Sequence, residues 1–176
     1  MGWFEGSVTR EELLLLAEYD RWATDRLLGV AARLPPAAWT QPVDSRLPCL
    51  RDAFVHLVSS AVVWLARWQG RPLATGLRAA AFPSAAALHL RWREVAASLG
   101  EFLQGIPEAS LRAPFAYRTA TGRERSEVLE LTFWHLVTHA AHHRGQIITV
   151  LRSLGGPTVH TDLLHFLGRR GRDEGR

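Results

Sequence analysis

Apolar residues recur at helical spacing along four long stretches of the chain. The stretches are bounded by residues typical of helix termini: Thr9 and Glu12 form a capping box before the first, and Gly155 and Pro157 follow the last. The pattern predicts four helices, over residues 10–34, 49–69, 83–104 and 127–154. A short helical turn is expected at about 162–167, and residues 168–176 are expected to be a disordered tail.

The segments between these helices complete the predicted architecture. Residues 112–126 break the helical periodicity and suit either a small hairpin or an irregular loop. The link between the second and third helices is long enough, at about 12 residues, to cross the end of a bundle. Four helices without a convincing sheet predict an all-α fold, a four-helix bundle forming a single domain over residues 1–176.

The composition excludes several classes of chemistry and of partner. All 21 basic residues are Arg, so the chain has no lysine for a Schiff base or a phosphate-binding loop. The single cysteine, Cys49, excludes disulfide frameworks and thiolate zinc sites, and favours a reducing cytoplasm. No apolar run approaches the roughly 18 residues of a membrane span, and no signal peptide is visible. The net charge of +4 is dispersed, so neither a membrane nor a nucleic acid is an expected partner.

Four of the eight histidines are concentrated on the predicted fourth helix. His139 and His143 are one helical turn apart and face the apolar side, so both can bind the same metal ion. His135 lies two turns from His143, and His142 is rotated by about 100° from it, so neither is expected to join that ion. The H-E-x-x-H protease signature is absent, because Ala140 follows His139.

A third metal ligand is expected from the second helix. His56 lies in mid-helix among apolar neighbours, which alone is more typical of a hydrogen-bonded core histidine. Beside the pair His139 and His143, it becomes the natural third ligand. Three neutral imidazoles suit one divalent Zn, Ni, Fe or Mn ion and leave coordination positions open for water or substrate.

Other side chains near the predicted site have two possible roles each. Asp52, one turn before His56, either orients that imidazole or is a solvated carboxylate at the helix start. Trp64 is a candidate pocket wall or core residue, and Gln146 is placed to contact a bound water or a neighbouring helix. Arg144 is rotated by about 100° from the adjacent histidine, which favours a structural ion pair over a substrate contact.

These residues also carry a family resemblance. The segment 139–147, H-A-A-H-H-R-G-Q-I, resembles the H-x-x-x-H-R-G-Q-I signature of the DinB superfamily of metal-dependent bundle enzymes. Residues 50–56, followed by Trp64, resemble that family's second helix with its lone histidine, and the similarity extends from about residue 10 to 167. The resemblance implies a four-helix bundle, often dimeric, with a divalent metal on His56, His139 and His143. It does not extend to the DNA polymerase of the same name.

The resemblance also implies an activity. Characterised relatives use low-molecular-weight thiols such as bacillithiol or mycothiol, which implies a thiol S-transferase of the stress or detoxification type acting on a small-molecule substrate. The alternatives are a metal-dependent hydrolase and a non-catalytic, metal-binding stress-response module. A homodimer is predicted from a second apolar flank on the fourth helix, formed by Trp134, Val137, Ala141 and Ile148.

Overall fold

The computed structural model describes residues 8–43, 49–71 and 75–174. It contains four long helices, a two-stranded hairpin and a fifth helix: α1 Arg10–Ala31, α2 Leu50–Trp68, α3 Ala85–Gly105, β1 Pro114–Arg118, β2 Glu124–Val128, α4 Leu129–Ser153 and α5 Leu163–Glu174. The predicted four-helix bundle is confirmed. Within the described ranges, no helix combines the length and the apolar character needed to cross a membrane.

The first helix begins at the predicted capping box. The Thr9 hydroxyl accepts the backbone N–H of Glu12 at 3.2 Å, and the Glu12 carboxylate accepts that of Thr9 at 2.8 Å. The helix ends at Ala31, before the predicted end at Leu34. Proline disfavours helical backbone in the residue that precedes it, so Pro35 ends the helix early and a turn takes up the residues between.

Residues 112–126, for which the sequence left a hairpin or a loop open, contain the hairpin. The two strands pair antiparallel, with Pro114 opposite Val128. Gly122 turns the chain between them at φ +80°, a left-handed conformation that glycine adopts without strain. Because β2 pairs as far as Val128, α4 begins at Leu129 rather than at Glu127.

The order of the helices around the bundle differs from the prediction in one respect. Helices α1 and α2 each pack against both α3 and α4, which places α1 and α2 at opposite corners. The long α2–α3 link, predicted to cross the end of the bundle, therefore joins neighbouring helices. The connections that span a diagonal are those from α1 to α2 and from α3 to α4. Which helices become neighbours is decided by the fit of their apolar faces rather than by the length of a link.

A buried ion pair joins α1 to α4 within the apolar interior. Asp20 accepts a hydrogen bond from the guanidinium of Arg144, and the two side chains are 8% and 1% exposed. Burial raises the pKa of the Asp20 carboxyl, and the adjacent guanidinium opposes that shift. The ion pair predicted for Arg144 is thereby confirmed. Because Arg144 follows His143 directly, this pair also fixes the rotation of α4 that sets where His143 points.

The C-terminal segment is more ordered than the sequence predicted. The predicted turn at 162–167 is the first half of α5, which continues as a helix through most of the segment 168–176 that was expected to be disordered. Phe166 is buried against the ring of Tyr19, and Arg170 forms an ion pair with Glu18 at 2.7 Å. These contacts with α1 stabilise α5, and they cannot be predicted from the local sequence. Residues 175–176 lie outside the described part of the chain.

Candidate metal centre

Three histidine rings from two helices converge on one point. His56 projects from α2, while His139 and His143 project from neighbouring α4. The Nε2 atom of His143 lies 3.2 Å from that of His56 and 3.1 Å from that of His139. The ligand atoms of the three residues all lie within 4.8 Å of one another. The structure therefore brings together the three histidines selected from the sequence.

The spacing of these nitrogens fits a shared metal ion. Imidazole nitrogens bind zinc at about 2.0–2.1 Å, so two ligands of one ion lie about 2.9 Å apart at a right angle and about 3.4 Å apart at the tetrahedral angle. The two measured separations, 3.1 and 3.2 Å, fall between these limits. A single proton shared in a hydrogen bond can join only two of these nitrogens. A metal ion can accept the lone pairs of all three.

Gln146 fixes which nitrogen of His143 faces this point. The Gln146 side-chain oxygen accepts a hydrogen bond from His143 Nδ1 at 2.7 Å. An amide oxygen only accepts, so Nδ1 carries the proton and Nε2 keeps its lone pair for a metal. The Gln146 amide nitrogen also donates to His142 Nε2 at 3.3 Å. The sequence placed Gln146 near the site without identifying this partner.

The environment of His139 and His56 favours the unprotonated ring. Burial lowers the pKa of His139 to about 4, and the neighbouring histidines add to the shift. Burial also lowers the pKa of His56, with a further contribution from His143. A metal binds the neutral ring, so protons compete for these nitrogens only in acid, below the ordinary histidine pKa of about 6.5.

Asp52 does not orient His56, which corrects one of the two roles considered for it. Its side chain is exposed and accepts a hydrogen bond from Arg51 Nε at 3.0 Å. No hydrogen bond between Asp52 and His56 occurs in the described structure. The carboxylate at the start of α2 is therefore held by its neighbour in sequence and not by the imidazole one turn further along the helix.

The other two histidines of α4 surround the convergent group without joining it. In the part of the chain that is described, the group consists of His56, His139 and His143 alone. The ring of His142 is exposed, and its centroid lies 5.1 Å from that of the His143 ring. The ring centroid of His135 lies 5.8 Å from that of His139. Their exclusion matches the helical geometry that separated them from the predicted pair.

The hairpin adds a residue that the sequence analysis missed. Tyr117 on β1 packs edge-on against Trp64 of α2, with ring centroids 5.3 Å apart, and Trp64 in turn contacts the ring of His135 at 5.6 Å. Trp64 is thus buried between the hairpin and the histidines. The available signal was the alternation of Phe115 and Tyr117 with exposed residues, which is typical of a strand that packs on one face.

The sequence pattern of the DinB family matches residues 7–173. The chain belongs to the DinB family. Protein DinB of Bacillus subtilis (strain 168) is 26% identical over 162 residues, covering 84% of this chain and 88% of that protein.

Two solved structures share the fold. A DinB-like protein from Bacillus cereus ATCC 10987 has a TM-score of 0.68 at 22% identity, covering 86% of this chain and 98% of that one. YfiT from Bacillus subtilis, described as a probable metal-dependent hydrolase with an unusual four-helix bundle topology, has a TM-score of 0.65 at 14% identity, covering 88% and 95%. This DinB family chain therefore has the fold of both.

Replacing Gln146 by Ala is expected to weaken binding of a divalent metal by about 10–100-fold, the usual effect of removing a group that orients a ligand. The reason is that His143 loses the acceptor that holds its Nδ1 proton. A competition titration with a chromophoric chelator measures the affinity. Gln104→Ala, at an exposed position of α3, is the matched control and should bind metal like the wild type. Equal affinities in the two variants would contradict the role given to Gln146.

Proposed function

We propose that this protein is an enzyme that depends on one divalent transition metal, held by Nε2 of His56, His139 and His143. The observation that carries the proposal is the convergence of these three nitrogens within 4.8 Å. Additional support comes from YfiT, which shares the fold and is described as a probable metal-dependent hydrolase. An ion bound there supplies Lewis acidity, lowering the pKa of a water or thiol that it contacts.

The reaction that this site favours is transfer of a low-molecular-weight thiol to an electrophilic carbon. A free thiol has a pKa of about 8.5, far below that of water, so a thiol loses its proton much more readily. No carboxylate of the described chain joins the group of three histidines, and Asp52 is hydrogen-bonded to Arg51. The thiol loses its proton, a carbon–sulfur bond forms, and the leaving group departs with its electron pair. Such thiols are reduced in the cytoplasm, the compartment that a lone Cys49 also favours.

Three residues of the chain assist this reaction in the proposal. His142 is exposed beside His143, so its imidazole is placed to carry the thiol proton to solvent. Gln146 contacts both rings and couples their orientation. Trp64, buried beside His135, excludes water from one side of the site.

A metal-dependent hydrolase is the second candidate, favoured by the description of YfiT. Both candidates are tested with metal-loaded protein. A panel of electrophiles is incubated with bacillithiol, mycothiol, glutathione or cysteine, and a panel of esters and amides is incubated without thiol. We expect conjugation faster than with thiol alone, lost in His143→Ala and kept in His160→Ala, whose exposed imidazole lies outside the convergent group.

The other outcomes separate the alternatives. Hydrolysis without conjugation would favour the hydrolase. Stoichiometric metal with neither activity would favour the non-catalytic stress-response module. Activity that survives unchanged in His143→Ala would refute a metal-centred reaction in either form.

We also propose a homodimer formed through the outward face of α4. Leu131 and Trp134 on this face are 46% and 41% exposed, and Ala141 lies on the same side, so the three form an exposed apolar patch. Val137, part of the flank predicted from sequence, is instead buried in the core, so the candidate surface is narrower than the sequence implied.

Light scattering at micromolar concentration is expected to give twice the mass of 19.7 kDa. Trp134→Asp should produce a monomer, because a buried unpaired carboxylate opposes association. Leu90→Asp, at a 65% exposed position of α3, should remain dimeric. A monomeric wild type, or a Trp134→Asp variant that stays dimeric, would remove the proposed interface.

A further inference from the structure

A cavity of about 580 Å³ lies between the second half of α2 and the hairpin. Its walls come from α2, from the α2–α3 link and from the hairpin, and they include Val63, Arg67, Arg71, Ala116, Tyr117 and Arg118. None of the three convergent histidines lines it. The cavity is therefore separate from the candidate metal centre, although both involve α2.

Arg67 lines this cavity, and its guanidinium is held between two aromatic rings. The group lies over the ring of Trp64 at 4.6 Å and over that of Tyr117 at 4.8 Å, measured to the ring centroids. In the described ranges, no carboxylate or other acceptor pairs with Arg67. Burial lowers the pKa of Arg67, but a guanidinium remains protonated at physiological pH. The two rings thus hold a planar cation whose hydrogen-bond donors are left for an external ligand.

The remaining charges of the cavity wall favour a negatively charged occupant. Arg118 is neutralised by Glu124 at 2.8 Å, and both side chains are exposed. Arg71 is a further exposed cation in the wall. Among the described lining residues, three arginines against one glutamate leave an excess of two positive charges. Val63 and Ala116 supply an apolar surface for the carbon skeleton of such a ligand.

The cavity lies on the same side of α2 as His56. Val63 and Arg67 follow His56 by seven and eleven residues, so helical geometry places them within about 20° of it and about 10 and 16 Å along the axis. The Arg67 guanidinium reaches back over Trp64, which packs against His135. A ligand extending from Arg67 along this face would approach the three histidines.

We propose that this cavity binds the acidic group, a carboxylate or a phosphate, of a small organic anion, and that Arg67 makes the principal contact. That this acidic group is the far end of the substrate rests on the proposed metal-dependent function. The binding site itself does not, because the cavity and the stacked guanidinium exist without a metal. A planar guanidinium binds a carboxylate or phosphate through two parallel hydrogen bonds, which gives Arg67 both affinity and orientation over the anion.

The test is calorimetric titration of malate and of inorganic phosphate into metal-loaded wild type and into His143→Ala. We expect saturable binding of at least one anion in both proteins, and the preferred anion identifies the group. Arg67→Gln should weaken that binding by at least about tenfold, the usual effect of removing a charged hydrogen-bonding partner. Arg93→Gln, at an exposed position of α3, should bind like the wild type.

Three results would overturn the proposal. The first is the absence of saturable binding of either anion by the wild type. The second is equal binding by Arg67→Gln and Arg93→Gln. The third is binding that disappears in His143→Ala but persists in Arg67→Gln, since the anion would then bind the metal. Failure of the enzymatic assays with intact anion binding would instead refute the proposed function and leave this site standing.

A second variant covers the case in which Arg67→Gln does not fold. Ala116 is exposed on β1 and lines the cavity, so Ala116→Glu adds a carboxylate without removing a buried contact. The added charge competes for Arg67 and repels the ligand. We expect the same loss of at least about tenfold in anion affinity, at an unchanged unfolding midpoint. Unchanged anion affinity in a folded Ala116→Glu protein would count against the site.

Discussion

Replacing His143 by Ala is expected to abolish stoichiometric binding of a divalent metal. Its Nε2 atom lies 3.2 Å from that of His56 and 3.1 Å from that of His139, so its removal leaves only two of the three convergent nitrogens. The loss of affinity should exceed the roughly 100-fold that marks the upper effect of substitutions beyond the ligands themselves. Metal analysis of protein purified without an affinity tag, followed by a chelator competition titration, measures the change.

The remaining histidines of the site provide the controls for this result. His56→Ala and His139→Ala should lose metal as His143→Ala does, since each supplies one of the three convergent nitrogens. His135→Ala and His142→Ala should keep their metal, because neither ring joins that group. A loss of metal in His142→Ala equal to that in His143→Ala would overturn the ligand assignment.

Replacing Arg144 by Ala is expected to cause the largest loss of stability among single substitutions of charged residues. The substitution leaves the Asp20 carboxylate buried without its partner, and breaking a buried pair in this way costs about 3–5 kcal/mol. For a chain of this length that corresponds to a fall of about 10 °C in Tm. Chemical denaturation at pH 7 and thermal unfolding followed by circular dichroism measure the effect.

Two further variants show whether burial of the pair is the cause. Arg91→Ala breaks an exposed pair with Glu94 and should change the free energy of unfolding by no more than about 1 kcal/mol. The double variant Asp20→Leu, Arg144→Met replaces both charges by apolar groups and should recover much of the stability lost in Arg144→Ala. If Arg144→Ala were no less stable than Arg91→Ala, the buried pair would not have the role assigned to it.

The helices and the histidine pair on α4 could be predicted because both depend on local sequence. The capping box at Thr9 and the apolar spacing define α1, and the interval of four residues places His139 and His143 on one face. His56 was selected for its apolar neighbours and for the resemblance to the DinB superfamily. Its approach to His143, a residue 87 positions away, depends on the packing of α2 against α4.

Features that depend on long-range packing could not be predicted in the same way. The partner of Arg144 is Asp20, 124 residues away, and nothing in the local sequence distinguishes it from other carboxylates on α1. Gln146 rather than Asp52 orients a histidine ring, which depends on side-chain conformation within a turn of helix. The helix at residues 168–174 depends on contacts with α1, such as that of Arg170 with Glu18.

The most direct test of the central claim is a crystal structure of the metal-loaded protein with anomalous diffraction measured at the absorption edge of the bound metal. We expect one strong anomalous peak per chain, about 2.0–2.2 Å from Nε2 of His56, His139 and His143, with further coordination positions open to solvent. A peak bound by His135 or His142 in place of one of these residues would contradict this ligand assignment. So would stoichiometric metal with no peak at the three histidines.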